Sequence, residues 1–289
     1  MTAGKAGHQA IVCSTGPSEF YKGLALAVSA PAIHYEWDAL VPGHGLSMVE
    51  IEQNGAMTTA TAFDRNPQLV VPRRFKRNAP QVLAMAPSAD TGLWLLQYMA
   101  ERIGIPDLAG LDILDFGCGS RFAEAITTHD IPLRSYVGID VYKEMIEFLT
   151  QNVNDDRLSF HHVNARNPKY NKSGDPLIPE TVLPIGDKRF DVICMFSVIT
   201  HQLPHDAQAI FAILRRHVKE SGFLFFSASL GEGDFGYREH DPEKPTELSV
   251  YSKDLLNELL EREKWRVVSI EPESPRDLPI LDSILCVPA

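Results

Sequence analysis

From residue 88 onward the chain alternates short apolar runs with helical repeats, a pattern that few architectures accept. The apolar runs are LDILDF (111–116), RSYVGID (134–140), RLSFHHV (157–163), RFDVICMF (189–196), GFLFFSAS (222–229), WRVVSI (265–270) and PILDSILCV (279–287). Between them lie VYKEMIEFLTQN, HDAQAIFAILRRHV and SKDLLNELLERE, whose apolar residues recur at helical spacing. Strands alternating with helices predict an α/β fold, a doubly wound and mostly parallel sheet of seven strands. Only EPESPRDL (271–278) separates the last two runs, which predicts an antiparallel last strand. Before the first run, Ser88 and Asp90 are placed to cap a helix through TGLWLLQYMAERIG that stops at Gly104 and Pro106. Sheets of this kind bind ligands at the carboxyl ends of their strands, near the point where strand order reverses.

Residues 1–80 have a different texture and read as a β-rich N-terminal accessory region, leaving 81–289 as the main domain. SMVEIEQ and AMTTATAF flank Asn54-Gly55, a pair that tolerates positive φ at both turn positions, so a β-hairpin is expected. SEFYKGLALAV reads as a short helix. VPRRFKRNAP (71–80) is basic and bounded by prolines, and it reads as a linker. The cluster His34, Tyr35, Glu36, Trp37 and Asp38 could serve a substrate or a dimer contact, and the region as a whole a lid or a homodimer interface.

Charge and cysteine usage narrow the partners. The 289 residues carry 27 Lys plus Arg against 38 Asp plus Glu, a net charge of −11, which repels phosphate backbones and argues against nucleic acid. Cys13, Cys118, Cys194 and Cys286 are scattered, with no CxxC pair, so neither a metal site nor a disulfide framework is expected. No run approaches the roughly 18 apolar residues of a membrane span, and the N-terminus lacks the apolar core of a secretory leader. A cytoplasmic protein acting away from membranes is the expectation.

Chemistry gathers at the ends of the first strands. In ILDFGCGSRF, Gly117 and Gly119 follow Asp115 at a strand-to-helix turn, where a missing Cβ lets the backbone approach a ligand. A dinucleotide loop would need a third glycine where Phe122 stands, which disfavours an NAD enzyme. Asp140 closes the second strand, 25 residues after Asp115. A carboxylate there accepts from ribose hydroxyls, although a single Asp could equally cap the next helix.

With ILDFGCGS, YVGIDVYKEMI, RFDVICMFSVITHQLP and ILRRHVKESGFLFFSAS in view, the chain from about residue 88 to 289 resembles the class I S-adenosylmethionine-dependent methyltransferases. Ser221-Gly222 stands where that family's closing motif has two glycines. NPKYNKSGDPLIPETVLPIGDKRFDVI and the Ser-Val-x-Thr-His segment resemble a bacterial small-molecule subgroup. The resemblance implies a Rossmann-like methyltransferase fold with S-adenosyl-L-methionine as cofactor. It implies that Asp115, Phe116, Gly117, Cys118 and Gly119 shape the loop around the methionine part. Asp140 would hold the ribose, Val141 would lie against the adenine and Asn164 would meet its amino group. Phe196 and Ser197 would line the floor under the sulfonium.

Two positions depart from the family pattern. Arg121 stands at the usual third glycine, where it could crowd the cofactor or bind its carboxylate; a side chain turned to solvent is the plainer reading. Asn164 replaces an acidic residue but keeps an acceptor oxygen. His201, in SVITHQLPH, is the candidate general base for an alcohol or phenol acceptor, with packing at a helix start as the alternative. Pro204 is expected to start the next helix and to leave His205 exposed. Tyr170, His205, Tyr237 and His240 are further candidates for the acceptor site, the last two in the loop GEGDFGYREHDPEKP (231–245). Arg73, Arg74, Lys76 and Arg77 read as a solvated basic face. Methyl transfer to a small molecule, at oxygen, is the leading function, and a non-catalytic methyltransferase-like binding module is the other.

Overall fold

The computed structural model describes residues 48–53, 56–61, 69–76, 86–168, 170–233, 235–241, 243, 246–272 and 281–289. Cys13, the SEFYKGLALAV helix, the His34–Asp38 cluster, Asn54-Gly55, Arg77 and most of EPESPRDL lie outside them. The chain divides into two compact units, Met1–Asp64 and Arg65–Ala289. In the first, β1 (Met48–Gln53) pairs antiparallel with β2 (Ala56–Thr61), in a register from Met48↔Thr61 to Gln53↔Ala56.

In the second unit the alternation becomes one sheet. Its elements in chain order are α1 (Ser88–Ile103), β3 (Asp112–Phe116), α2 (Arg121–His129), β4 (Ser135–Asp140), α3 (Lys143–Asn152), β5 (Leu158–His162) and β6 (Phe190–Met195). They continue with α4 (Pro204–Arg215), β7 (Val218–Gly231), β8 (Tyr237–Glu239), β9 (Ser249–Ser252), α5 (Lys253–Arg262), β10 (Trp265–Glu271) and β11 (Asp282–Pro288). The main strand order is β10-β11-β7-β6-β3-β4-β5. Strands β3 to β7 run parallel, and β11 runs antiparallel to both β7 and β10. The seven predicted strands are therefore all present, with the reversed last strand. Order turns at β3, whose neighbours are β4 on one side and β6 on the other, and that is the switch point where ligands bind.

Period-two alternation sorts the core into two faces. Leu114, Val137, Ile139, Ile193 and Phe226 meet α4 and α5, while Ile113, Tyr136, Cys194 and Phe225 meet α1, α2 and α3. Gly104 ends α1 in the left-handed region (φ 83°), with its N–H and that of Ile105 both bonded to Ala100 O. Pro204 starts α4, where its missing N–H costs no helical bond.

Three expectations need correction. Ser88 does not precede α1 as a cap; it is the first helical residue, after Pro87. The loop at 231–245 contributes β8, which pairs antiparallel with β9, and β9 extends the sheet from the end of β7. The expected linker is instead partly packed: its Val71 and Phe75, with Leu69 just before it, are buried in the same core as α1, α2 and α3.

At the amino edge, charge knits four strands. Lys219 Nζ reaches Asp112 Oδ2 at 2.9 Å and Asp191 Oδ2 at 2.8 Å, while Arg134 grips both Asp112 oxygens. The Arg134 guanidinium holds the Asp112 carboxyl well below the usual carboxylate range. Lys219→Met leaves Arg134 alone to bridge the Asp112 and Asp191 carboxylates. It is expected to cost about 1 kcal/mol in urea unfolding at neutral pH. Because Asp112 titrates lower in the folded chain than in the unfolded one, its stabilisation is present above about pH 4 and lost on further acidification.

Candidate active site

The switch point is built from four strand ends. After β3, Gly117 (φ 78°) and Gly119 (φ 54°) take the left-handed region, which favours glycine at both. The N–H groups of Gly117 and Cys118 both donate to Ile139 O, at 2.8 and 3.0 Å, stitching the loop to β4. A Cβ on Gly117 would meet Val198 Cγ2 at 2.6 Å, whereas one on Gly119 would have nothing within 4 Å. The loop is thus closed beside Gly117 and open beside Gly119.

Asp140, buried at the end of β4, joins this loop to the next. Its Oδ2 accepts from the Gly119 N–H at 3.0 Å and its Oδ1 from the Tyr142 N–H at 2.9 Å. The second bond alone would make it a local turn residue; the first, across two strands, fixes the carboxylate beside the open side of the glycine loop. Val141 is half-buried against the α4–α5 core.

Asp115 has a different place. It is buried under the loop, where Tyr136 Oη donates to its Oδ2 at 2.7 Å. Burial pushes its carboxyl up to about 7, and burial likewise raises the Cys194 thiol beside it. Phe116 and Cys118 are buried too, and Cys118 Sγ packs over Gly138, where a Cβ would come within 2.9 Å of it.

The other two strand ends are more open. Asn164, after β5, is exposed, and its amide ties the following loop: Oδ1 accepts from Asn171 Nδ2 and Nδ2 donates to Asp175 Oδ2, both at 3.0 Å. After β6, Phe196 is half-buried, edge-on to Phe122 at 5.1 Å and tilted on Phe225 at 5.7 Å. Ser197 is exposed with φ 56°, and its N–H donates to Ser227 Oγ at 2.8 Å.

His201 closes a single 3-10 turn, Ile199–His201, and is exposed. Its Nδ1 lies 2.9 Å from Thr246 O. A carbonyl only accepts, so in the neutral ring Nδ1 carries the hydrogen and Nε2 presents its lone pair. Tyr251 Oη, donating to Gln202 O at 2.7 Å, anchors the β8–β9 pair against the same turn. On β8, Tyr237 Oη donates to Glu239 Oε1 and lies 3.1 Å from Ser249 Oγ. Burial raises its phenol above the ordinary value. His205 and His240 are exposed, His205 beside Asp206. Tyr170 stacks on Tyr142 at 5.6 Å, so it borders the Asp140 turn.

Of the readings open for Arg121, the structure overturns the plainer one, a side chain turned to solvent. Arg121 is half-buried at the start of α2, with Glu124 and Asp115 as its acidic neighbours, and loss of solvent lowers its pKa. Gly92 allows this packing, since a Cβ there would strike Arg121 O and Ala125 Cβ, each at 2.8 Å. Glu124, which accepts from Ser120 Oγ, and Tyr142 were not singled out from the sequence. A carboxylate within the run Phe122, Ala123, Ala125 and Ile126 was the available signal for Glu124.

Solved structures with a similar fold include the glycopeptide N-methyltransferase MtfA complexed with sinefungin (13% identity over 68% of this chain and 94% of that one, TM-score 0.49). Another is magnesium protoporphyrin IX methyltransferase from Synechocystis PCC 6803 with bound SAH (13% identity, 75% and 92% covered, TM-score 0.49). A third is an S-adenosylmethionine dependent methyltransferase from Mesorhizobium loti (14% identity, 66% and 97% covered, TM-score 0.46). Residues 73–270 match the sequence model of a family described as a methyltransferase domain. That match spans most of the chain and includes every strand end described above, so the chain belongs to the methyltransferase-domain family.

Proposed function

We propose that the chain uses S-adenosyl-L-methionine to methylate a small-molecule acceptor at oxygen, with His201 as general base. The observation that carries the cofactor reading is the Asp140 carboxylate, fixed by Gly119 and Tyr142 N–H groups at the switch point. The residues suit the group: an acceptor-only carboxylate matches a ribose diol, and the open side of Gly119 leaves room beside it. The aromatic ring of Phe196, half-exposed after β6, suits a neighbouring cationic sulfur. Val141 and Tyr170 would flank the base, and the Asn164 amide lies at the same edge. When bound, the cofactor supplies an activated methyl group.

The protein's own work is to orient the acceptor and accept its proton. Orientation contributes on the order of 7–11 kcal/mol in such displacements. The Thr246 carbonyl sets the His201 tautomer so that Nε2 takes the hydroxyl proton of the acceptor. This tautomer, together with the Ser-Val-x-Thr-His resemblance, supports oxygen as the accepting atom. Tyr237, on the β8–β9 pair that packs against the same turn, would form a wall of the acceptor site, a role its contact with Tyr251 supports. His205 and His240 contribute at its exposed rim.

Calorimetric titration of S-adenosylmethionine into the full chain tests the reading. Binding in the micromolar range is expected, and none at millimolar cofactor refutes it. With an acceptor found by screening for labelled methyl transfer, His201→Ala is expected to lower turnover by about 10²-fold while cofactor affinity stays unchanged. Equal turnover in wild type and variant would remove His201 from the chemistry.

A further inference from the structure

The basic segment before α1 closes a ring of contacts around the Asp140 carboxylate. The Phe75 side chain is 2% exposed; its ring meets Tyr142 edge-on at 5.6 Å and Phe148 at 5.3 Å. One residue on, Lys76 Nζ lies 3.0 Å from Glu124 Oε2, whose side chain is only 6% exposed. Phe75 therefore holds the start of α3, and Lys76 holds the first turn of α2. Glu124 Oε1 accepts from Ser120 Oγ at 3.1 Å, and Ser120 follows Gly119, whose N–H bonds Asp140. The other Asp140 oxygen takes the Tyr142 N–H, which returns the circuit to Phe75.

We propose that Phe75 and Lys76 are positioning residues for the cofactor. By bracing α2 against α3 they set the separation of the glycine loop and the Asp140 turn, and a site of this kind works only when held within about 0.5 Å of its productive geometry. Cofactor affinity then depends on how residues 69–76 are seated, and cofactor binding seats them in return, because coupling between two binding events is reciprocal. The proposal rests on Asp140 being the carboxylate that holds the cofactor.

The test is calorimetric titration of S-adenosylhomocysteine into full-length variants, well below their melting temperatures. Phe75→Ala is expected to weaken binding about tenfold and Lys76→Met about threefold, with Lys76→Arg within about twofold of wild type. Phe75→Leu keeps the burial but loses the ring contacts; it carries the test if Phe75→Ala fails to fold, with about threefold weaker binding expected. Leu259→Ala, on α5 across the sheet, is the stability control: it is expected to lower the melting temperature and leave affinity unchanged. Wild-type affinity in Phe75→Leu and Lys76→Met overturns the proposal, as does an equal loss in Leu259→Ala. An unaffected Asp140→Ala would instead overturn the cofactor-site reading beneath it.

Discussion

Asp140→Ala is expected to weaken S-adenosylmethionine binding by at least about 10²-fold. A buried carboxylate that accepts from two ribose hydroxyls makes two charge-assisted hydrogen bonds, each contributing about 1.5–3 kcal/mol. Together they amount to about 3–6 kcal/mol, or 10²–10⁴ in affinity. The substitution has a second effect, since the Gly119 and Tyr142 N–H groups lose their acceptor and the glycine loop loses its tie to β4. Asp140→Asn separates the two: its oxygen can still take one N–H while its amide cannot serve the diol as a carboxylate does. Calorimetry should therefore show both variants defective, with Asp140→Asn the more stable of the two in thermal unfolding. Binding of Asp140→Ala within about threefold of wild type would mean that the ribose, and the cofactor with it, is held elsewhere.

What could be read from the sequence here follows from where periodicity is strong. Strands β3, β4, β6 and β7 each carry an inner run of buried apolar residues, such as Val192–Met195 and Leu224–Phe226, because helices cover both faces, and those runs made them legible as strands. The glycines of the loop were legible because positive φ leaves few other residues. Phe75 was not, since it stands between Arg74 and Lys76, and a single buried ring in a charged run leaves no period to detect. Strand β8 was hidden for a related reason: Tyr237–Glu239 has no apolar alternation of its own and depends on pairing with β9. Arg121 shows a third limit. Its side chain turns inward because Gly92 lets α1 approach α2, a packing fact between residues 29 positions apart. Spacing in sequence located the strand ends that meet at the switch point, but not which polar side chains the helices would press toward it.

Asp115 and Asp140 came from one motif reading, yet Asp115 lies sealed beneath the loop, and pH can test the charge it carries there. Loss of solvent is the main cause that raises the Asp115 carboxyl to about 7, and nearby Asp140 adds to it. The Tyr136 hydroxyl, Cys194 and Arg121 pull the other way without cancelling it. The folded chain therefore keeps a proton between about pH 4 and pH 7 that the unfolded chain releases. It binds more protons in that window, so its stability falls as pH rises through it. Asparagine has the same shape and no proton to lose. Relative to wild type, Asp115→Asn is expected to gain about 3 kcal/mol in urea unfolding between about pH 5 and pH 8, at 1.36 kcal/mol per unit of pKa. Titrations elsewhere in the molecule are common to both proteins and cancel in the comparison. Cofactor affinity should change little, because Asp115 lies beneath the loop at 2% exposure. Parallel pH profiles for the two proteins would show that Asp115 ionises as an ordinary carboxylate. In that case the charge under the loop would be balanced in the folded state, with the Arg121 guanidinium, which already lowers the Asp115 carboxyl, contributing to that balance.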